Sequence, residues 1–138
     1  MRKVILDTNI VIDIALERKP FNSDALKVFA GIKNNKIRAF VTATSITDIF
    51  YVLRKTLGSK ETIRYLKSLL NIVGILDTDS IIIFEALDSD WNDFEDAVQG
   101  YSALHNNIDC IITRNLQDYQ NLKGVEIASA NEFANKYL

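Results

Sequence analysis

Apolar and polar residues follow two rhythms along this chain. Short continuous apolar runs, at 4–6, 38–41, 72–76, 108–113 and 125–128, read as strands buried on both faces. Between them apolar positions recur three and four apart, the helical spacing, over about 9–16 and 24–34. Ser45 reads as the cap of an amphipathic helix carrying Ile46, Ile49, Phe50, Leu53 and Leu57. Gly58 ends it, and Ser59 opens another with Ile63, Leu66, Leu69 and Leu70. Residues 45–71 thus predict a helical hairpin. Further helices are expected from the Asp77–Ser80 caps to about Leu87, from Phe94 to His105, and from Ser129 to Tyr137. Strands alternating with helices predict an α/β fold: a three-layer α/β/α sandwich around a mainly parallel, Rossmann-like sheet of about five strands.

The chain of 138 residues, with five glycines and one proline, has no room for a linker or low-complexity tract, so residues 1–138 are expected to form one domain. Cys110 is the only cysteine and lies in an apolar run, which predicts a buried thiol. His105 is the only histidine and is expected near a helix end, which argues against a Ser-His-Asp triad. Neither GxxxxGK[ST] nor GxGxxG is present, so those nucleotide-binding devices find no support. No leader or membrane-length apolar run is apparent, and the expected location is cytoplasmic. The net charge of −2 argues weakly against a nucleic-acid coat protein. It does not argue against a nuclease, since clustered acids lower the net charge wherever the bases lie.

The informative chemistry is a set of acids at strand-to-helix junctions. Asp7 follows the first strand, Asp48 lies just after the second, Asp96 opens the helix leading into the fourth, and Asp118 lies beyond the fourth. Taken singly, Asp48, Asp96 and Asp118 each stand three residues after a capping side chain, so each has a plainer explanation as a helix-start acid. Taken together they differ. Parallel strands end on one edge, and a right-handed crossover starts its returning helix on that edge, so the four acids can converge. Converging carboxylates repel one another unless a cation binds. Oxygen donors without His or Cys select Mg²⁺ or Mn²⁺ over Zn²⁺, and such sites suit phosphodiester hydrolysis. Thr8, Asn9, Thr113 and Asn115 would orient ligands or phosphate.

Four segments in order resemble the PIN domain superfamily, and within it the VapC-type toxin ribonucleases. They are Val4-Ile5-Leu6-Asp7-Thr8-Asn9, the stretch from Thr44 to Lys55, Asp93-Phe94-Glu95-Asp96-Ala97-Val98-Gln99, and the stretch from Ile111 to Tyr119. The resemblance implies a metal-dependent ribonuclease, often a homodimer, held inactive by a small antitoxin. It places Asp7, Asp48 and Asp96 at the acidic positions, with Thr113 as a polar partner. Two positions depart from the pattern: Asp48 stands where Glu is common, and Asn115 where Asp is frequent.

An RNA substrate needs cations near the acids. Arg18, Lys19, Arg54, Lys55, Lys60, Arg64 and Arg114 are the candidates, and Arg114, beside Thr113, is the expected phosphate contact. Tyr51, Trp91 and Tyr119 could stack on bases, although Tyr51, in an apolar helix, is read as packing or interface. The 45–71 hairpin is the expected dimer or antitoxin surface. Two alternatives stand beside the nuclease. One is a silent PIN-like module that binds RNA or protein. The other is a phospho-receiver domain, for which Asp77 after the third strand is the only supporting feature.

Overall fold

In a computed structural model describing residues 1–138, the apolar runs become five strands. They are β1 (Arg2–Leu6), β2 (Ile37–Thr42), β3 (Gly74–Leu76), β4 (Cys110–Ile112) and β5 (Glu126–Ala128). Every neighbouring pair is parallel, in the order β3-β2-β1-β4-β5. β1 is therefore central, with Ile5 paired to Phe40 of β2 and Leu6 to Ile112 of β4. The carboxyl ends of β1, β2 and β4 lie side by side. β3 lies at the sheet edge, which leaves Asp77 exposed and remote from that junction, so the phospho-receiver reading loses its one support.

Seven helices cover the sheet: α1 (Thr8–Ala15), α2 (Phe21–Lys33), α3 (Ala43–Leu57), α4 (Ser59–Leu69), α5 (Ser80–Leu87), α6 (Phe94–His105) and α7 (Ala130–Tyr137). Side chains alternate across the strands. Val4, Leu6, Val41 and Ile112 face the larger core, with Ile10, Val28, Ile49, Leu66 and Phe133 from α1, α2, α3, α4 and α7. Ile5 and Ile111 face the other layer, with Ala103 of α6 and Tyr119. The three-layer α/β/α sandwich with a five-stranded parallel sheet is thus the observed fold. Cys110 is buried, and burial pushes its thiol up to about 12. No helix is long and apolar enough to cross a membrane.

Several boundaries move for local reasons. α3 starts at Ala43 because Thr42, not Ser45, is its cap: the Thr42 hydroxyl accepts the Ser45 N–H at 3.3 Å. That shifts Asp48 out of the first turn into the second. Ser59 is likewise no cap. Gly58, at φ 79°, carries the chain directly from α3 into α4, a left-handed conformation that glycine adopts freely. β3 loses Ile72 and Val73 because their N–H groups still donate to Leu69 at the end of α4. Ile108 is similarly held by Ala103, so β4 begins at Cys110. α2 begins at Phe21, directly after Pro20 and ahead of the expected Asp24.

Candidate functional site

At the carboxyl edge of the sheet lies a cleft of about 460 Å³. Its walls include Asp7, Thr8 and Asn9 from the β1–α1 junction, Asp48 and Tyr51 from α3, and Asp93, Glu95 and Asp96 from the start of α6. Asn115 and Asp118, beyond β4, complete it. Four acids expected from the sequence, Asp7, Asp48, Asp96 and Asp118, therefore share one cavity, although they come from four separate segments.

Asp7 is the innermost, 6% exposed. Its N–H donates to the Ile112 carbonyl at 3.0 Å, so it is still tied to the sheet as α1 begins. Its Oδ1 accepts the Thr8 N–H at 2.8 Å and the Gln99 Nε2 at 2.8 Å, and its Oδ2 accepts the Thr113 hydroxyl at 2.7 Å. A carboxylate offers about four lone-pair positions, so three donors leave room for a further ligand. Thr113 accepts the Asn115 N–H at 3.0 Å, which fixes its hydroxyl as a donor to Asp7. The Thr8 hydroxyl lies 3.1 Å from that of Ser45, tying α1 to α3.

Two polar residues that sequence reasoning missed as site members stand behind the acids. Gln99, on the buried side of α6, donates through Nε2 to Asp7 and, at 3.0 Å, to the Tyr119 hydroxyl. Tyr119 in turn donates to Asp96 Oδ1 at 3.3 Å. The chain Asp7–Gln99–Tyr119–Asp96 thereby links the β1 end, α6 and a 3₁₀ turn at Leu116–Tyr119. Its directions are fixed, since the amide has two hydrogens and both face acceptors. The cost is a Gln99 carbonyl buried without a partner. Gln99 stands three residues after Asp96, one helical turn along the same face, and that spacing was the available signal.

Glu95 was also missed, because acids in a first helical turn read as dipole partners. Burial, a hydrogen bond shared with Asp48, and repulsion from Asp48, Asp93 and Asp7 push Glu95 up to about 7. Burial, with repulsion from Asp93, Asp7 and Asp118, pushes Asp96 up to about 6 against the opposing bond from Tyr119. Asp93 is a true cap, accepting the Asp96 N–H at 2.9 Å, and Asp96 does not reach back to complete a capping box but meets Tyr119.

Arg114 stands elsewhere than expected. Its Nε lies 2.9 Å from Oδ2 of fully buried Asp13, its Nη2 donates to Asp13 Oδ1 at 3.2 Å, and its guanidinium covers the Phe21 ring at 4.0 Å. A buried carboxylate holds it, leaving it little freedom to hold phosphate. Tyr119, fully buried, and Trp91, edge-on to it at 5.8 Å, are likewise committed to packing. His105, at the end of α6, bonds to exposed Glu85.

The donor set suits a hard divalent cation: every charged group in the cleft is a carboxylate, and burial together with their mutual repulsion raises Glu95 and Asp96. No three acids stand as a ready-made cage.

A family model described as PIN domain matches residues 3–117. Ribonuclease VapC1 of Aquifex aeolicus is 24% identical over 140 residues, covering 98% of this chain and 95% of that protein. DNA-bound VapBC from Salmonella typhimurium matches with a TM-score of 0.68 at 16% identity, over 94% of this chain and 99% of that one. A toxin–antitoxin complex from Klebsiella pneumoniae matches with a TM-score of 0.66 at 19% identity, over 88% and 94% of the two chains.

Proposed function

The chain belongs to the PIN domain family, and from that premise we propose that it is a divalent-metal-dependent endoribonuclease, the toxin of a toxin–antitoxin pair. The observation that carries the proposal is the convergence of Asp7, Asp48, Asp96 and Asp118 on one cleft, with Asp96 raised to about 6 by burial and by its acidic neighbours. The similarity to ribonuclease VapC1 over nearly the whole chain supports the reaction class.

Asp7 and Asp96 would be the principal ligands of Mg²⁺ or Mn²⁺, with Asp48 as a third. When bound, the metal would supply Lewis-acid stabilisation of charge developing on the scissile phosphate. Gln99 and Thr113 orient Asp7 by donating to both of its oxygens, and Tyr119 orients Asp96. Glu95, from α6, shares a hydrogen bond with Asp48 and adds a second carboxyl beside that shorter side chain. Asp118, Asn115, Thr8 and Asn9 line the cleft beside these acids, where substrate would approach.

The matched toxin–antitoxin complex supports an antitoxin partner. A homodimer is supported by α5, which exposes Ile81, Phe84 and Leu87 at 57%, 66% and 60%. The expected hairpin surface is less apolar than its sequence suggests, because Ile49, Leu53, Leu66 and Leu69 are buried within the fold. The protein would act in the cytoplasm.

Incubation with mixed single-stranded and structured RNA, in Mg²⁺, Mn²⁺ or EDTA, tests the proposal. Cleavage should require metal and fall about a hundredfold or more in Asp7→Asn and in Asp96→Asn. Folded protein that binds Mn²⁺ and cleaves nothing would be a silent PIN-like module. Cleavage unaffected by both substitutions would place the reaction elsewhere.

A further inference from the structure

One wall of the acidic cleft carries an aromatic ring, and a cation stands against that ring just outside the cleft. Asp48, Tyr51 and Arg54 follow one another on α3 at intervals of three residues, so each neighbours the next across the helix surface. Asp48 and Tyr51 both line the cleft. Tyr51 is 56% exposed, whereas Ile49 and Leu53 beside it in sequence are fully buried. The guanidinium of Arg54 lies 5.1 Å from the Tyr51 ring centroid, is exposed, and joins none of the chain's ion pairs. Lys55, next to it, is exposed as well.

The plainer account covers part of this. A cation in the last turn of α3 meets the negative end of the helix, and an exposed cation–π contact adds a small further attraction. That explains where Arg54 sits. It does not explain a half-exposed aromatic ring on the wall of a cleft otherwise dominated by carboxylates and amides. Nor can other aromatics of the region serve a ligand, since Tyr119 is buried in the Gln99 network and Trp91 packs against it.

We propose that Tyr51 and Arg54 form a nucleotide subsite, with the base next to the scissile phosphate stacked on the Tyr51 ring and the following phosphate held by Arg54. The subsite rests on the nuclease reading above and specifies how a single strand leaves the acids. Asp48 to Arg54 spans about 9 Å along the helix axis, enough for a base between a phosphate at each end. Every base has a π face, and stacking on an aromatic side chain strengthens binding about tenfold or more per base. The guanidinium offers a charge-assisted fork to a phosphate that the neighbouring carboxylates repel. This chemistry selects an unpaired nucleotide, because a base inside a duplex cannot present its face.

The test is fluorescence anisotropy of labelled oligo(A), and of the same strand lacking its bases, with Ca²⁺ replacing Mg²⁺. Tyr51→Ala should weaken oligo(A) binding about tenfold while Tyr51→Phe binds as wild type. The abasic strand should bind wild type and Tyr51→Ala equally, since the ring then has nothing to stack on. Arg54→Gln should weaken both strands and lower the salt dependence by about one phosphate contact. Thermal melts of the three variants report whether they stay folded. Equal losses by Tyr51→Ala on both strands, or none on oligo(A), would reduce the ring to a wall and overturn the subsite. So would wild type that cleaves mixed RNA yet does not bind oligo(A). Wild type that neither binds nor cleaves RNA would overturn the nuclease reading, and the subsite with it.

Discussion

Asp7 and its partners show what a residue-by-residue reading can find. A carboxylate directly after a buried strand and before a helix is visible in the sequence, and so is Thr113 at the matching point of the fourth strand. Gln99 was not, because its spacing from Asp96 is only a weak signal and its two acceptors lie 92 and 20 residues away. Its role separates from simple packing. Gln99→Met removes two hydrogen bonds but also removes the orphaned carbonyl, worth about 1–3 kcal/mol as an unsatisfied acceptor. Melting should therefore move by only a few degrees. Mn²⁺ affinity, followed by calorimetry, should fall about tenfold, since Asp7 and Asp96 lose the group that links them. A large loss of stability with unchanged Mn²⁺ affinity would make Gln99 a packing residue.

At the scale of elements, the periodic runs were legible and their ends were not. Five strands and seven helices follow the expected order, yet α3 begins two residues before Ser45 because the last strand residue, Thr42, supplies the cap. Side-chain caps compete within a run such as Thr42-Ala43-Thr44-Ser45, and the sheet register decides among them. Of the small residues spaced three apart on α6, Ala97, Gly100 and Ala103, only Ala103 packs against the sheet. Ala97 faces α5, and Gly100 makes room for Trp91, whose ring would lie 2.5 Å from an added Cβ. The start of α6 combines a cap with charge, and the two can be parted. Asp93→Ala should cost about 1 kcal/mol in denaturant unfolding through the lost bond to the Asp96 N–H. Asp93→Asn caps about as well, so it should be no less stable than wild type in EDTA, and it removes one of the charges repelling Glu95 and Asp96. An equal loss in both variants would mean that the carboxylate, not the cap, holds the helix start.

For the whole molecule, a net charge of −2 conceals how unevenly the acids are placed. Parallel strands predict that acids meet at one edge, but only the order β3-β2-β1-β4-β5 sets β1 between β2 and β4 and so determines which acids meet. Strand order depends on long-range pairing that the apolar pattern does not encode. The resulting crowding gives stability a definite pH dependence. Glu95 and Asp96, raised to about 7 and about 6, keep protons in the folded state that the unfolded chain releases near its ordinary values of 4.5 and 3.8. The native state then binds more protons than the unfolded one between these limits, so stability falls as pH rises through the window and levels off above about 7. Asp13, also raised by burial, acts in the same direction, whereas Glu126, lowered chiefly by its bond from Tyr137, supports the fold until pH falls below its ordinary range. A double variant, Glu95→Gln with Asp96→Asn, isolates the cleft. In EDTA, wild-type melting temperature should decline from about pH 5 to about pH 7.5, and the double variant should decline less. Mn²⁺, which needs the deprotonated acids, should raise the wild-type value more at the higher pH and leave the double variant nearly unmoved. Parallel pH profiles for the two proteins would mean that these carboxylates are not electrostatically strained. A metal response preserved in the double variant would move the ligands away from α6.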